Sequence, residues 1–182
     1  MTDVALASRL RGVPTRVLHG LHRRRALAAL RRHPRVASLL VVCHGDLCRS
    51  SFAATLLRAS FAERSVRVDS AGLSGTGRQS PPEAVAAAAR FGVDLSAHRS
   101  QPLTAHGARA TDLIIVMDSV QRREVCDRFG PSERDVLLLG DLDPEPGEPR
   151  TIRDPVNQPL AVFEETYARI ARCARELGRA IG

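Results

Sequence analysis

The 182-residue chain has no lysine and no tryptophan: all 27 of its basic residues are arginine, and its aromatics are five phenylalanines and one tyrosine. Without lysine there is no Schiff-base chemistry, no lysine general base and no phosphate loop of the kind whose lysine reaches terminal phosphates. Any phosphate handled by this chain must meet backbone amides and guanidinium groups. With aromatics at 3%, little stacking surface is left for a single-strand nucleic-acid binder, and no nucleic-acid partner is expected. Four cysteines, Cys43, Cys48, Cys126 and Cys173, are too few and too irregular for a secreted disulfide scaffold, which points to the cytoplasm. The first 36 residues hold no apolar run long enough to cross a bilayer and no apolar core of a secretory signal, so export is not expected.

What is present is one domain's worth of apolar sequence, 43% of residues, with no internal repeat. The net charge of +7 is unevenly placed. Residues 1–36 carry nine arginines against Asp3, a net of +8, while the remainder carries 18 arginines against 19 acids, a net of −1. The chain therefore divides into an Arg-rich extension, 1–36, and a near-neutral body, 37–182. Exclusive use of arginine fits the coding bias of a GC-rich genome. In the extension, Val17, Leu18, Leu21, Ala26, Leu27, Ala29 and Leu30 recur at roughly helical spacing, interrupted by Gly20, and predict a short basic amphipathic helix. Such a segment suits weak contact with an anionic surface, whether lipid, nucleic acid or an acidic partner. It also resembles an organelle transit peptide, and it is equally a solvated extension; the sequence leaves these open.

The body alternates strands and helices. Val36–Val42 is a continuous apolar run rich in β-branched residues, as in a strand buried on both faces. A helical pattern follows through Phe52, Ala53, Leu56, Leu57 and Phe61, then a short strand at Val66–Val68 and a turn-rich stretch from Ser70 to Ser80. Pro81 and Pro82 open a helix over Glu83–Arg90 that stops near Gly92. Leu113–Met117 and Val136–Leu139 read as further strands, separated by a helix over Ser119–Phe129 that Gly130 and Pro131 end. Residues 140–158 read as a proline- and acid-rich loop, and a last helix runs from Pro159 to Ile181 with Leu160, Phe163, Tyr167, Ile170, Ala171, Ala174 and Leu177 on one face. The alternation predicts an α/β fold in three layers, a four-stranded parallel sheet flanked by helices, with the basic helical extension in front.

Ligands of such sheets bind beyond the carboxyl ends of the strands, and the first strand ends at Cys43. The segment Cys43-His44-Gly45-Asp46-Leu47-Cys48-Arg49-Ser50 joins that strand to a helix N-terminus. Backbone N–H groups and the helix dipole make such a loop an oxyanion site, and the same field favours a thiolate at Cys43. Arg49 can curl back to hold two phosphate oxygens in its planar fork, and Ser50 can donate a hydrogen bond to the sulfur. His44, Gly45, Asp46, Leu47 and Cys48 would then line the substrate. Cys43, His44 and Cys48 lack the partnering pair of a zinc site, so neither a metal nor another cofactor is expected.

The C-x5-R-S loop in this position resembles that of the low-molecular-weight protein tyrosine phosphatases. Four further segments are similar to family segments in the same order: Asp69-Ser70-Ala71-Gly72, Gly92–Ser100, Asp112–Asp118, and Asp154-Pro155 eight positions before Phe163. The resemblance implies a cysteine-dependent phosphatase. In that scheme Cys43 attacks phosphorus in line, Arg49 and the loop amides meet the equatorial charge, and Asp154 protonates the leaving oxygen before assisting water. The implied substrates are a phosphotyrosine protein or a small phosphomonoester, with inorganic phosphate as product. It also draws attention to Cys48, close enough for a reversible Cys43–Cys48 disulfide, or else a spectator thiol.

The chain departs from the family pattern in places. Asp46 stands where asparagine is usual, at a position held in a left-handed conformation, and its charge should weaken dianion binding. Ser51 replaces a proline. Val156 and Asn157 replace aromatics after the Asp-Pro pair, and the Ser74–Arg78 loop lacks the aromatic expected on the opposite wall, so an aryl phosphate should be held less tightly. Leu47 resembles the aliphatic of tyrosine-directed members, as opposed to the threonine of phosphoarginine-directed relatives. A non-catalytic phosphate-binding module is the main rival. An arsenate reductase would need downstream cysteines that Cys126 and Cys173 do not match.

Overall fold

The computed structural model describes residues 15–33, 35–74, 76–146 and 148–181. Arg9, Arg11 and the rest of residues 1–14 lie outside them. The elements are α1 (Thr15–Leu30), β1 (Ser38–Cys43), α2 (Arg49–Ser60), β2 (Arg67–Gly72), α3 (Pro82–Ala89), α4 (Ala105–Arg109), β3 (Leu113–Val116), α5 (Ser119–Phe129), β4 (Val136–Leu138) and α6 (Leu160–Ile181). Short 3-10 turns at Glu133–Asp135 and Leu139–Leu142 bracket β4.

All strand pairs are parallel, and the sheet order is β2-β1-β3-β4. Alternating residues of the two central strands serve opposite faces, as the period of two requires. Leu39, Val41, Leu113 and Ile115 join Phe52, Leu57, Phe163, Tyr167 and Ile170 in the larger core under α2, α3 and α6. Leu40, Val42, Ile114 and Val116 join Ala108 and Val125 in a smaller core under α4 and α5. That is the three-layer arrangement the sequence predicts. β1 lies at the point where the connections turn from one edge of the sheet to the other. In open parallel sheets such a point leaves a crevice at the strand's carboxyl end.

Local chemistry accounts for the element ends. Pro82 takes the first helical position of α3, where its missing N–H costs nothing. The Asp118 carboxylate caps α5 by accepting from Val120 and Gln121 N–H (2.9 and 2.8 Å), and Gly130 at φ 80° closes it.

Three expectations are modified. β2 continues four residues past Val68: it is an edge strand with exposed Arg67 and Asp69, and its polar sequence hides the ladder. The five-residue α4, capped by Thr104, carries too few apolar positions to show a period. The basic helix α1 is packed against the body. Ala26 and Leu30 are buried in the larger core, while the apolar positions Val17, Leu18 and Leu21 are exposed. Polar contacts hold it as well: the buried His19 ring bridges the carbonyls of Asp143 and Glu148 (2.9 and 3.1 Å), and Arg23 pairs with Glu176. No helix among the described residues is long and apolar enough to cross a membrane.

Candidate active site

β1 delivers Cys43 to the sheet's carboxyl edge, and the chain from His44 to Cys48 wraps back to start α2 at Arg49. Cys48 takes the N-cap position of α2 without a side-chain cap, so the first-turn amides of this 12-residue helix are not claimed by a capping side chain. The loop is held from β2: Leu73 N–H donates to the Cys43 carbonyl (3.1 Å) and Ser74 N–H to that of His44 (2.9 Å). This approach explains Gly72. A Cβ there would lie 2.7 Å from the Gly45 carbonyl carbon and 2.8 Å from Asp46 N, too close for any other residue.

The structure gathers the expected residues around one cavity of about 160 Å³. Cys43, His44, Gly45, Leu47, Cys48 and Arg49 form its floor and near side, and Asp154 and Val156 form a wall from the last loop. Ser74 and Arg78, which the sequence did not mark as site residues, form the opposite wall. No aromatic residue lines this cavity among the described residues. Asp46 and Ser50 are fully buried behind the loop, so they support it and do not line the cavity.

Arg49 is 3% exposed. One terminal nitrogen donates to the Ile152 carbonyl (3.1 Å), the other pairs with Asp154, and its buried Nε has no partner. A buried guanidinium N–H without an acceptor is costly, and Arg49 lines the cavity that an oxyanion would enter. Cys43 and Cys48 are both free thiols. Burial pushes the Cys48 thiol up, far above the ordinary range, so Cys48 stays protonated. The buried Tyr167 hydroxyl donates to the Cys48 carbonyl (3.3 Å), and its ring stacks on Phe52 at 4.0 Å, tying α6 to the loop.

Asp154 is positioned from a distance. Ile152, fully buried, donates its N–H to Met117 at the end of β3 (2.9 Å). Upstream, buried Asp143 accepts from Arg169 Nε (2.8 Å) and from Arg172 Nε and Nη2 (2.9 and 3.1 Å). Burial works to push the Asp143 carboxyl up, but these hydrogen bonds outweigh it and hold the carboxyl below the usual range. Arg150 grips Asp141 through two 2.7 Å hydrogen bonds, and Gly140 admits the Arg150 carbonyl where a Cβ would block it. The acid-rich loop is thus fastened to α6, and only its tip from Asp154 to Asn157 stands at the cavity. Asn157 turns that tip with φ 61°.

Behind the loop, Asp46 adopts φ 52°, and its carboxylate is the hub of a buried network. Oδ1 accepts from Ser50 Oγ (2.7 Å), and Oδ2 accepts from Gln101 N–H (3.0 Å) and lies 3.4 Å from His98 Nε2. Ser50 Oγ also lies 3.1 Å from Cys43 Sγ. Ser50 has one hydroxyl proton and two partners. Given to Asp46, that proton leaves Ser50 able only to accept from a Cys43 thiol.

Parallel sheet, switch-point loop, and a cysteine and buried arginine at one cavity together define an α/β domain whose loop has the chemistry to receive an oxyanion. Comparison with known proteins narrows this. Residues 38–182 match the model of the low molecular weight phosphotyrosine protein phosphatase family, and the chain belongs to that family, whose members are cysteine-dependent phosphatases. It is 38% identical over 138 residues to the probable low molecular weight protein-tyrosine-phosphatase EpsP of Ralstonia nicotianae, covering 75% of this chain and 90% of that one. It is 36% identical over 141 residues to Etp of Escherichia coli K12, covering 76% and 90%. Among solved structures, the Erwinia amylovora tyrosine phosphatase AmsI superposes with a TM-score of 0.71 at 34% identity, covering 80% of this chain and 93% of that one. The fold is shared as well by the YwlE arginine phosphatase, with a TM-score of 0.70 at 24% identity, covering 78% and 93%.

Proposed function

We propose that the protein hydrolyses phosphotyrosine-type phosphomonoesters through a phosphocysteine formed on Cys43. The observation that carries this reading is the meeting at one cavity of Cys43 and Arg49, from the loop between β1 and α2, with Asp154, from a loop more than 100 positions along the chain. Cys43 Sγ attacks phosphorus as the bond to the leaving oxygen breaks, and Asp154 gives that oxygen its proton. Arg49 and the amides at the start of α2 meet the charge on the equatorial oxygens. Water then attacks the phosphocysteine, Asp154 takes its proton, and phosphate leaves with the thiolate restored. A bound phosphate competes with Asp154 for Arg49, so substrate entry would release the carboxyl for its proton-transfer role. The free thiols fit a reducing compartment such as the cytoplasm.

Leu47 and Val156 give the cavity aliphatic walls, which supports an aryl group over the strongly polar phosphoguanidinium. In a panel of phosphopeptides, phosphotyrosine is expected to exceed phosphoserine and phosphoarginine by about 10²-fold in kcat/KM. Faster cleavage of phosphoarginine would overturn the substrate assignment.

One observation favours a weaker catalyst or a phosphate-binding module: the buried Asp46 carboxylate claims the Ser50 proton that a Cys43 thiolate needs. Asp46→Asn puts an amide donor toward Ser50, frees the hydroxyl for the sulfur and removes a like charge from the anion loop. It is expected to raise kcat/KM on an aryl phosphate about tenfold, the worth of one charge-assisted hydrogen bond. Unchanged or lower kcat/KM would show that Asp46 does not compete for Ser50.

A further inference from the structure

A carboxylate buried inside an anion-binding loop poses a problem that the phosphatase reading does not solve. Asp46 sits midway between Cys43 and Arg49, 0% exposed, in the segment that would wrap a phosphate dianion. Leaving such a charge unpaired is strongly unfavourable, and here it would also repel the ligand. Two of its contacts, from Ser50 and from the Gln101 amide, are hydrogen bonds from neutral donors and leave the charge in place. The third partner is different. His98 Nε2 donates to the Asp46 carbonyl at 2.6 Å and lies 3.4 Å from Oδ2, so one ring nitrogen holds both ends of the same residue. The His98 side chain is only 17% exposed and comes from the segment after α3, 52 positions along the chain.

We propose that His98, as an imidazolium paired with Asp46, is the positioning residue that lets this loop bind a dianion while carrying a buried carboxylate of its own. The proposal rests on the reading of the loop as the phosphate site and deepens it. The pair neutralises the carboxylate and holds the left-handed turn at Asp46 in place, so the loop keeps its shape and its potential together. The charged groups facing His98 are Asp46 in the loop and Arg58 on α2. On its own segment, Arg99 turns its guanidinium to the His98 carbonyl. The side-chain hydrogen bond to Asp46 raises His98 above the ordinary imidazole value, against burial and Arg58, which lower it. The sign follows: below the raised titration the pair is neutral and the loop attracts anions. As pH rises through it, His98 loses its charge, Asp46 stands alone and affinity falls.

The test is a cycle of His98→Gln, Asp46→Asn and the double variant in the full chain, with inorganic sulfate as the calorimetric probe because it stays dianionic. Near neutral pH, His98→Gln is expected to weaken sulfate binding about tenfold when Asp46 is intact and hardly at all when Asp46→Asn is already present. With Asp46 intact, the loss should shrink as pH is raised above the His98 titration. An equal loss with and without Asp46→Asn, or one independent of pH, overturns the charge pair and leaves His98 a brace. If His98→Gln does not fold, the His98 ring protons report the same coupling by NMR. Asp46→Asn should shift their titration midpoint down, and an unmoved midpoint overturns the proposal. Failure of the wild-type protein to bind sulfate at all would instead sink the loop as the phosphate site.

Discussion

Cys43→Ser is expected to remove turnover of an aryl phosphate almost completely, a fall of at least about 10⁴-fold in kcat, while phosphate or sulfate still binds. Serine keeps the shape of a residue only 3% exposed at the end of β1, so the loop and the core beneath it should be undisturbed. What is lost is the sulfur nucleophile, because a serine hydroxyl is scarcely ionised at neutral pH where a thiol in the same field can be. Ser50 already gives its own proton to Asp46. Binding should survive because the groups that hold the anion, Arg49 and the amides opening α2, are separate from the one that attacks. Steady-state kinetics beside calorimetry separates the two effects. Residual turnover within tenfold of wild type would remove Cys43 from the mechanism, whereas loss of both binding and turnover would mean a collapsed loop.

Asp154→Asn is the second large effect, an expected loss of about 10²- to 10³-fold in kcat with little rise in KM. The asparagine is isosteric, and the loop that carries it is fastened upstream by Asp143, Arg169 and Arg172 and by Ile152, so its position should hold. In the native chain Asp154 pairs with Arg49, so the substitution also removes a competitor for the guanidinium, and phosphate should bind as well or better. The loss depends on the leaving group. Phenol, which needs a proton as it departs, should suffer more than p-nitrophenol, which needs one less. An equal loss on both substrates would make Asp154 a structural residue of the loop tip.

Much of the site was legible in the sequence because it is local. The run from Val36 to Ser50 contains strand, loop and helix start in order, and the proline- and acid-rich composition of residues 140–158 marks a loop, within which the family resemblance picks out Asp154-Pro155. What escaped was held by contacts between distant segments. Nothing near Asp46 announces that His98 and Gln101 will meet its carboxylate, and although the Ser74–Arg78 loop was expected at the opposite wall, nothing in it marks Arg78 itself as a lining residue. The substitution of aspartate for the usual asparagine was visible, but only its cost could be read. The compensating histidine needed coordinates. The same holds for the basic extension, where the apolar spacing marked Ala26 and Leu30, which are buried, but not the second anchor, a histidine between two backbone carbonyls. The edge strand β2 was cut short for a related reason: half of it faces water, so its polar residues resemble a turn.

The arginine-only composition also has a specific consequence at the site. Arg49 uses its two terminal nitrogens in two directions, toward Ile152 and Asp154, which a lysine ammonium on a single tip could not do. The remaining charge excess sits mostly in residues 1–36 and plays no part in the proposed chemistry.

In the proposed reaction the phosphoryl group passes through Cys43. Acid-quenching the enzyme during turnover of an aryl phosphate and locating the phosphoryl group by peptide mass spectrometry tests it most directly. One phosphoryl group is expected on the peptide containing Cys43 and none in Cys43→Ser. Full turnover with no phosphoenzyme, or a phosphoryl group on any other residue, would contradict it.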